Sequence, residues 1–331
     1  MELLDLPDSL VLEILSYLPI KDLCVLSRTC QRCNKIARDK SLWRDIDITD
    51  KRISLKKAWK FYRSRLSDCL QKIRMAGFYT QSGAINQKKP VMSDALLEDI
   101  RTNCPNLEDM MLQTFYLSNI SSSKLPSSLQ YFTVESCQWP MGWLKGSYLP
   151  NLKCLQIKSC SRVDDQELKD VVKLTTLKTL HLGNLYRIKN NGVKVITENL
   201  TQLEQFELES LNIDDLAVHH ICRNMQNLDA LLLSKCNITN AAVDNVFVSL
   251  PKLKHLDISS NKKLDQQILT MSLKSKSLVT LKFSLDPNTI NSDALDKISI
   301  QFPRRECLNV YKPEGDVISC GGDTTCIGDA R

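Results

Sequence analysis

The feature that most constrains this chain is a spacing of leucines that returns at nearly fixed intervals. Residues 228–237, Leu-Asp-Ala-Leu-Leu-Leu-Ser-Lys-Cys-Asn, read L-x-x-L-x-L-x-x-C. Aligned on its first leucine, the pattern falls at Leu107, Leu129, Leu152, Leu177, Leu203, Leu228, Leu253 and Leu278, at intervals of 22, 23, 25, 26, 25, 25 and 25 residues. The alternation at Leu231 and Leu233 is that of a short strand with one apolar face. So short a strand cannot bury that face alone. It needs a copy on each side, and the chain supplies them.

An irregular copy precedes the series at Leu70, Ile73 and Met75, and residues 307–310 offer a last strand. Helix-like segments fall between the strands at 93–103, 164–173, 191–199, 214–225, 239–250 and 292–302. Asp164 with Glu167 reads as a capping box. Cys137, Cys160, Cys236 and Asn261 take the turn position after a strand, where each is expected to bond neighbouring backbone. The period and pattern resemble leucine-rich repeats, whose copies run about 20–29 residues. The expected fold is therefore α/β: a leucine-rich-repeat solenoid, with parallel strands on the concave face and helices on the convex face.

Strand alternation also says which side chains leave the core. Met111, Tyr131, Gln156, Lys158, His181, Glu207, Glu209, Leu232, His255 and Asp257 lie between the apolar positions and are the candidate target-binding residues. They are mixed in character and acidic around 205–209. The chain shows neither a Gly-rich phosphate loop nor a nucleophile with its base. The four histidines are too dispersed to suggest a metal site. No catalytic residue, metal or cofactor is expected.

The N-terminal segment has a different period. Leu6, Leu10, Ile14 and Leu18 are four apart, one stripe of a helix, and Val11 and Leu15 widen it onto a second face. Pro7 suits the first helical turn and Pro19 ends the helix. A second helix begins near Asp22, and 36–43 reads as a third, ending on Trp43. So small a helical module buries little surface. Periodicity leaves two readings open: the second apolar face covers a partner, or both faces are core. Cys30 and Cys33 form a C-x-x-C pair without further ligands nearby, so neither zinc nor redox chemistry is expected.

Charge is unevenly placed. Residues 1–50 hold seven Lys/Arg against nine Asp/Glu, and residues 51–90 hold eleven against one, although the whole chain is only +6. The stretch 45–49 alternates like a strand. Residues 54–66 place Leu55, Trp59, Tyr62 and Leu66 on one helical face, with Lys56, Lys57, Lys60 and Arg63 around it. Three readings of this basic helix stand: a solvated face docking the N-terminal module to the repeats, a surface for an acidic or phosphorylated partner, or a nucleic-acid contact. The last is weakest, because the aromatics fall on the apolar side. Residues 80–92 read as a polar loop, and 312–331 as a flexible tail without periodicity. Thirteen cysteines, an odd number without an export signal ahead of them, point to reduced thiols. With no long apolar run to cross a bilayer, a soluble intracellular protein is expected, cytoplasmic or nuclear, with neither membrane nor nucleic acid as partner.

Leu6-Pro7, Ile14-Leu15, Tyr17-Leu18-Pro19, Asp22-Leu23, Cys30-x-Arg32 and Leu42-Trp43-Arg44 resemble an F-box, with Cys33 where an aromatic usually stands. An F-box followed by leucine-rich repeats resembles the F-box/LRR-repeat family. The resemblance implies the order F-box 1–48, basic connector and irregular first repeat 49–105, repeats 106–311 and tail 312–331. It also implies a non-catalytic substrate-recognition adaptor of an SCF ubiquitin ligase. Leu6, Pro7, Leu10, Ile14, Leu15, Leu18, Pro19 and Leu23 would then bind Skp1, and through it the cullin and RING subunits. The repeats would hold a protein target, phosphorylated in part of the family, for ubiquitination and proteasomal degradation. The competing reading is a non-degradative interaction scaffold built on the same repeats.

Overall fold

Seven successive strands of the repeat series end in a turn that a non-glycine residue enters at positive φ. Thr114, Ser136, Ser159, Asn184, Ser210, Lys235 and Ser260 all lie between 52° and 59°. That conformation costs about 1–2 kcal/mol for a residue with a Cβ. Its recurrence after successive strands shows the turns being held by what lies under them. The computed structural model describes residues 6–50, 53–79, 92–284, 308–311 and 317–319, the last two ranges as backbone only. The chain divides into two compact units, Met1–Leu152 and Lys153–Arg331.

The first unit opens with α1 (Asp8–Ser16), α2 (Ile20–Leu26), α3 (Gln31–Ile36) and a 3-10 turn at Lys40–Trp43. The third helix expected at 36–43 is displaced. Cys30 caps α3, its Sγ accepting from the Cys33 N–H at 3.3 Å. The Asp39 carboxylate then accepts from the Ser41 N–H at 2.9 Å and starts a separate turn. A short polar side chain that bonds its own backbone stops the helix there. Next come β1 (Asp45–Ile48), α4 (Leu55–Tyr62), β2 (Lys72–Ala76), α5 (Asp94–Asn103), β3 (Asp109–Gln113) and β4 (Tyr131–Glu135). Each strand pairs in parallel with the one before it.

The second unit holds β5 (Cys154–Lys158), α6 (Leu168–Val171), β6 (Thr179–Gly183), α7 (Asn190–Asn199), β7 (Gln205–Glu209), α8 (Asp215–Asn224), β8 (Ala230–Ser234), α9 (Asn240–Ser249), β9 (His255–Asp257), α10 (Gln267–Met271) and β10 (Thr280–Ser284). Strands β5 to β10 are parallel neighbours in chain order. β11 (Leu308–Tyr311) adds in parallel and β12 (Val317–Ser319) antiparallel. Three residues of the segment read as a tail are therefore a strand. The rest of that segment, with Cys320 and Cys326, lies outside the described residues, as do most of the loop at 80–92 and the helix expected at 292–302.

The leucine series is the core: Leu107, Leu129, Leu152, Leu177, Leu203, Leu228, Leu253 and Leu278 are all buried. Beneath the turns the expected polar ladder is present. Cys137 Sγ donates to the carbonyls of Leu112 (3.3 Å) and Glu135 (3.2 Å), and Cys160 Sγ to that of Lys158 (3.3 Å). Asn261 Nδ2 donates to Leu233 (2.6 Å) and Ile258 (2.7 Å), while its Oδ1 accepts from the Cys236 N–H (2.7 Å). The Cys137–Leu112, Asn261–Leu233 and Asn261–Cys236 bonds reach from one repeat to its neighbour and, with the bonds inside each turn, hold the strained turns in place.

Candidate functional site

Three surfaces emerge from the packing, one on the N-terminal helices and one on the strand face of each unit. Helix α1 buries Val11 and Leu15 and turns Leu10 and Ile14 outward, 46% and 41% exposed, with Tyr17 beyond them at 82%. Leu6 and Leu18 are half-buried, and Pro7 and Pro19 are exposed. Leu15 and Leu23, grouped in the sequence with the Skp1-binding positions, face inward and close the core of the helical module. Val25, which the motif did not single out, is exposed on α2. Arg32 fixes the start of α1: its guanidinium pairs with Asp8 at 2.7 Å and donates to the Leu6 carbonyl. Cys33, in place of the usual aromatic, is buried.

The basic connector is partly spent on structure. Arg65 lies over Trp43 and Phe61, 4.2 and 4.3 Å from their ring centres, and burial pushes its pKa down. Tyr62 and Ala58 are buried on the same side of α4, whereas Lys56, Lys57, Lys60 and Arg63 are exposed. On the strand face of this unit Arg74 reaches Asp109 (3.3 Å) and Asp47 (3.8 Å), tying three strands together. Beside that row stand the predicted residues Met111, half-buried, and Tyr131, exposed. Arg74 lies in the irregular repeat, and strand alternation there would have pointed to it.

On the second unit the register sets one outward residue per strand in a row: Gln156, His181, Glu207, Leu232, Asp257 and Lys282. The structure brings four predicted residues together here. His181 Nδ1 is 2.7 Å from Glu207 Oε2, and its Nε2 is 4.0 Å from Glu209 Oε2. Lys158 runs alongside across Gly183. Burial pushes the Glu207 carboxyl up, but the His181 hydrogen bond and the charges of His181 and Lys158 outweigh it. The net result is a pKa below the ordinary value. Two other predicted residues are engaged elsewhere. His255 Nδ1 is 3.0 Å from Thr280 Oγ1, and Asp257 Oδ1 accepts from the Ser259 N–H (3.0 Å) and hydroxyl (2.6 Å). Leu232 is half-buried beside Glu207.

Among the described residues no group of three or more His, Cys, Asp or Glu is placed to hold a metal ion, and no helix is long and apolar enough to cross a membrane. Burial raises the thiols of Cys104 and Cys236 to about 11 and that of Cys222 to about 12. His219 and His220 sit on α8, away from the strand face.

An F-box-like family model matches residues 3–49. F-box/LRR-repeat protein 12 from Homo sapiens is 33% identical over 210 residues, which make up 62% of this chain and 63% of that protein. The protein of the same name from Bos taurus is 33% identical over 208 residues, with the same coverage. The match thus spans 63% of the length of these curated relatives. Among solved structures, an internalin (inlF) from Listeria monocytogenes str. 4b F2365 aligns at 16% identity over 83% of this chain and 84% of that one, with a TM-score of 0.40.

Proposed function

We propose that the chain is a substrate-recognition adaptor of an SCF ubiquitin ligase. Its N-terminal helices dock on Skp1, and its repeats hold a protein target for ubiquitination and degradation. The observation that carries this reading is the outward apolar pair Leu10 and Ile14 on a helix whose other face is already packed, within the segment matched by the F-box-like model. Large apolar side chains set i, i+4 apart in solvent gain about 1.5–3 kcal/mol each when a partner covers them. Leu6, Pro7, Leu18 and Pro19 frame that pair, while Leu15 and Leu23 support it from beneath. An adaptor of this kind performs no bond chemistry. It raises the effective concentration of a target lysine near an activated ubiquitin carried elsewhere in the assembly.

Co-purification of the full chain with Skp1 tests the reading. Wild type is expected to form a stable 1:1 complex. Leu10→Asp/Ile14→Asp is expected to lose it without unfolding, because both side chains are solvent-facing in the free chain. Retention of Skp1 by that variant would remove the adaptor role and leave a scaffold built on the repeats alone.

A further inference from the structure

Cys30 and Cys33 stand at the two ends of the first turn of α3, and both are reduced in the structure. Spacing alone predicts no redox chemistry for them, but the way the turn is built does. Cys30 starts the helix: its carbonyl accepts from the Asn34 N–H at 3.0 Å, and its Sγ accepts from the Cys33 N–H at 3.3 Å. Cys33 is fixed in turn by the Ala37 N–H, which donates to its carbonyl at 2.8 Å. Helical bonds thus hold both backbones in place. Cα atoms three residues apart on an α-helix stand about 5 Å from one another. A disulfide bridges about 4.4–6.8 Å between Cα atoms, so the pair can be joined without unwinding α3.

The surroundings of the two sulfurs differ, and the difference assigns their roles. Cys30 is half-buried and open to solvent, whereas Cys33 is only 3% exposed. The Cys33 backbone N–H and the Cys33 thiol both reach the Cys30 sulfur, and together they hold the Cys30 pKa below its ordinary value. Burial, helped by the same thiol contact, pushes Cys33 up. The thiolate is the nucleophile, so Cys30 meets a reagent first. Cys33 lies against it with its proton still on.

We infer that Cys30 and Cys33 form a reversible oxidation site, at which hydrogen peroxide closes the two thiols into a disulfide across the first turn of α3. The Cys30 thiolate attacks one peroxide oxygen; an S–O bond forms, the O–O bond breaks, and the other oxygen leaves as water after taking up a proton. Cys33 sulfur then attacks the Cys30 sulfenic acid. The S–S bond forms, the S–O bond breaks, and the second water carries away the Cys33 proton. Both thiols are oxidised and the peroxide is reduced to water. Because the resolving sulfur is already in contact, it captures the sulfenic acid before a second peroxide can oxidise it further. The site stands on the geometry of α3 and goes beyond the adaptor reading, so either can fail without the other.

The test treats the full reduced chain with equimolar hydrogen peroxide, then alkylates it with iodoacetamide in urea and digests it with trypsin. Cleavage after Arg28, Arg32 and Lys35 puts the two cysteines in separate peptides, Thr29–Arg32 and Cys33–Lys35. The expected product is these two peptides joined by a disulfide, absent before oxidation and lost on treatment with dithiothreitol. Cys104, Cys222 and Cys236, whose thiols burial holds at about 11 to 12, should remain alkylated. Cys33→Ser should lose the cross-link and accumulate a Cys30 sulfenic acid that dimedone traps. Cys30→Ser, which keeps a capping oxygen, should leave Cys33 reduced. Far-UV circular dichroism checks that both variants keep their fold, and the mapping of the unmodified sequence does not depend on either. The inference is overturned if peroxide leaves both peptides alkylated, if Cys30 pairs with a different cysteine, or if folded Cys33→Ser yields no dimedone adduct at Cys30.

Discussion

Asn261 shows what one side chain must do to keep the repeats in register. It makes three buried hydrogen bonds, to the Leu233 and Ile258 carbonyls and from the Cys236 N–H, and lies in the turn behind Ser260 at φ 59°. Asn261→Ala is expected to destabilise the chain by about 2–3 kcal/mol, since it leaves buried backbone groups unpaired, and the loss would be read as a fall in the urea midpoint. Cysteine fills the equivalent place at 137 and 236 with the weaker donor and acceptor sulfur, so Asn261→Cys should recover part of it. The thiols also differ chemically. The Cys33 backbone N–H bonded to Cys30, together with its thiol, lowers the Cys30 pKa, whereas burial holds Cys222 at about 12. Only the thiolate reacts, and a lower pKa places more of it at a given pH. Maleimide at pH 7.5, about neutral, should therefore label Cys30 before Cys104, Cys222 or Cys236 in the native chain, as peptide mapping would show.

At the scale of elements, repeat length decides what can sit opposite a strand. Three of the five copies separated by 25 or 26 residues carry the ten-residue helices α7, α8 and α9, and the other two carry the shorter α6 and α10. The 22- and 23-residue copies have only 3-10 turns, at Leu117–Asn119, Ser122–Lys124 and Trp143–Gly146. The short intervals leave too little chain for a three-turn helix after strand and turn are made. Both the strands and this difference were legible, because period and interval are properties of the sequence itself. Helix ends were less so: Asp164 bonds the Gln166 N–H (2.9 Å) and makes a turn of its own, and α6 begins only at Leu168. Nor did the double apolar face of α1 reveal which side is core, since that depends on what α2 and α3 bring against it. The His181–Glu207 pair was out of reach altogether, because it arises from register between strands about 25 residues apart. Close approach recurs at Gly77, where a Cβ would strike the Thr114 carbonyl in the neighbouring repeat. Gly77→Ala should lower the melting temperature by about 4 °C or more, measurable by circular dichroism, as expected for a clash against backbone that cannot move aside.

For the molecule as a whole, the charge excess at 51–90 and the two kinds of binding surface answer to different physics. Among the described residues Lys56, Lys57 and Lys60 make no ion pair, and they project from α4, whereas Arg65 is packed against aromatic rings. Reversing all three to Glu should leave stability within about 0.5 kcal/mol. Any loss of target binding by that variant would mark the helix as a partner surface. The apolar pair on α1 and the polar row on β5–β10 share no residue, and they suit different means of recognition: buried apolar area on one, polar and charged side chains on the other. Their effects should consequently separate. Leu10→Asp/Ile14→Asp should abolish Skp1 capture and leave target binding at wild-type strength. Glu209→Gln should weaken target binding and leave Skp1 capture intact. The combined variant should show both losses, additive within about 0.5 kcal/mol. A Skp1 defect in Glu209→Gln would mean that the strand face contributes to adaptor docking, and the division of labour between helices and strands would have to be redrawn.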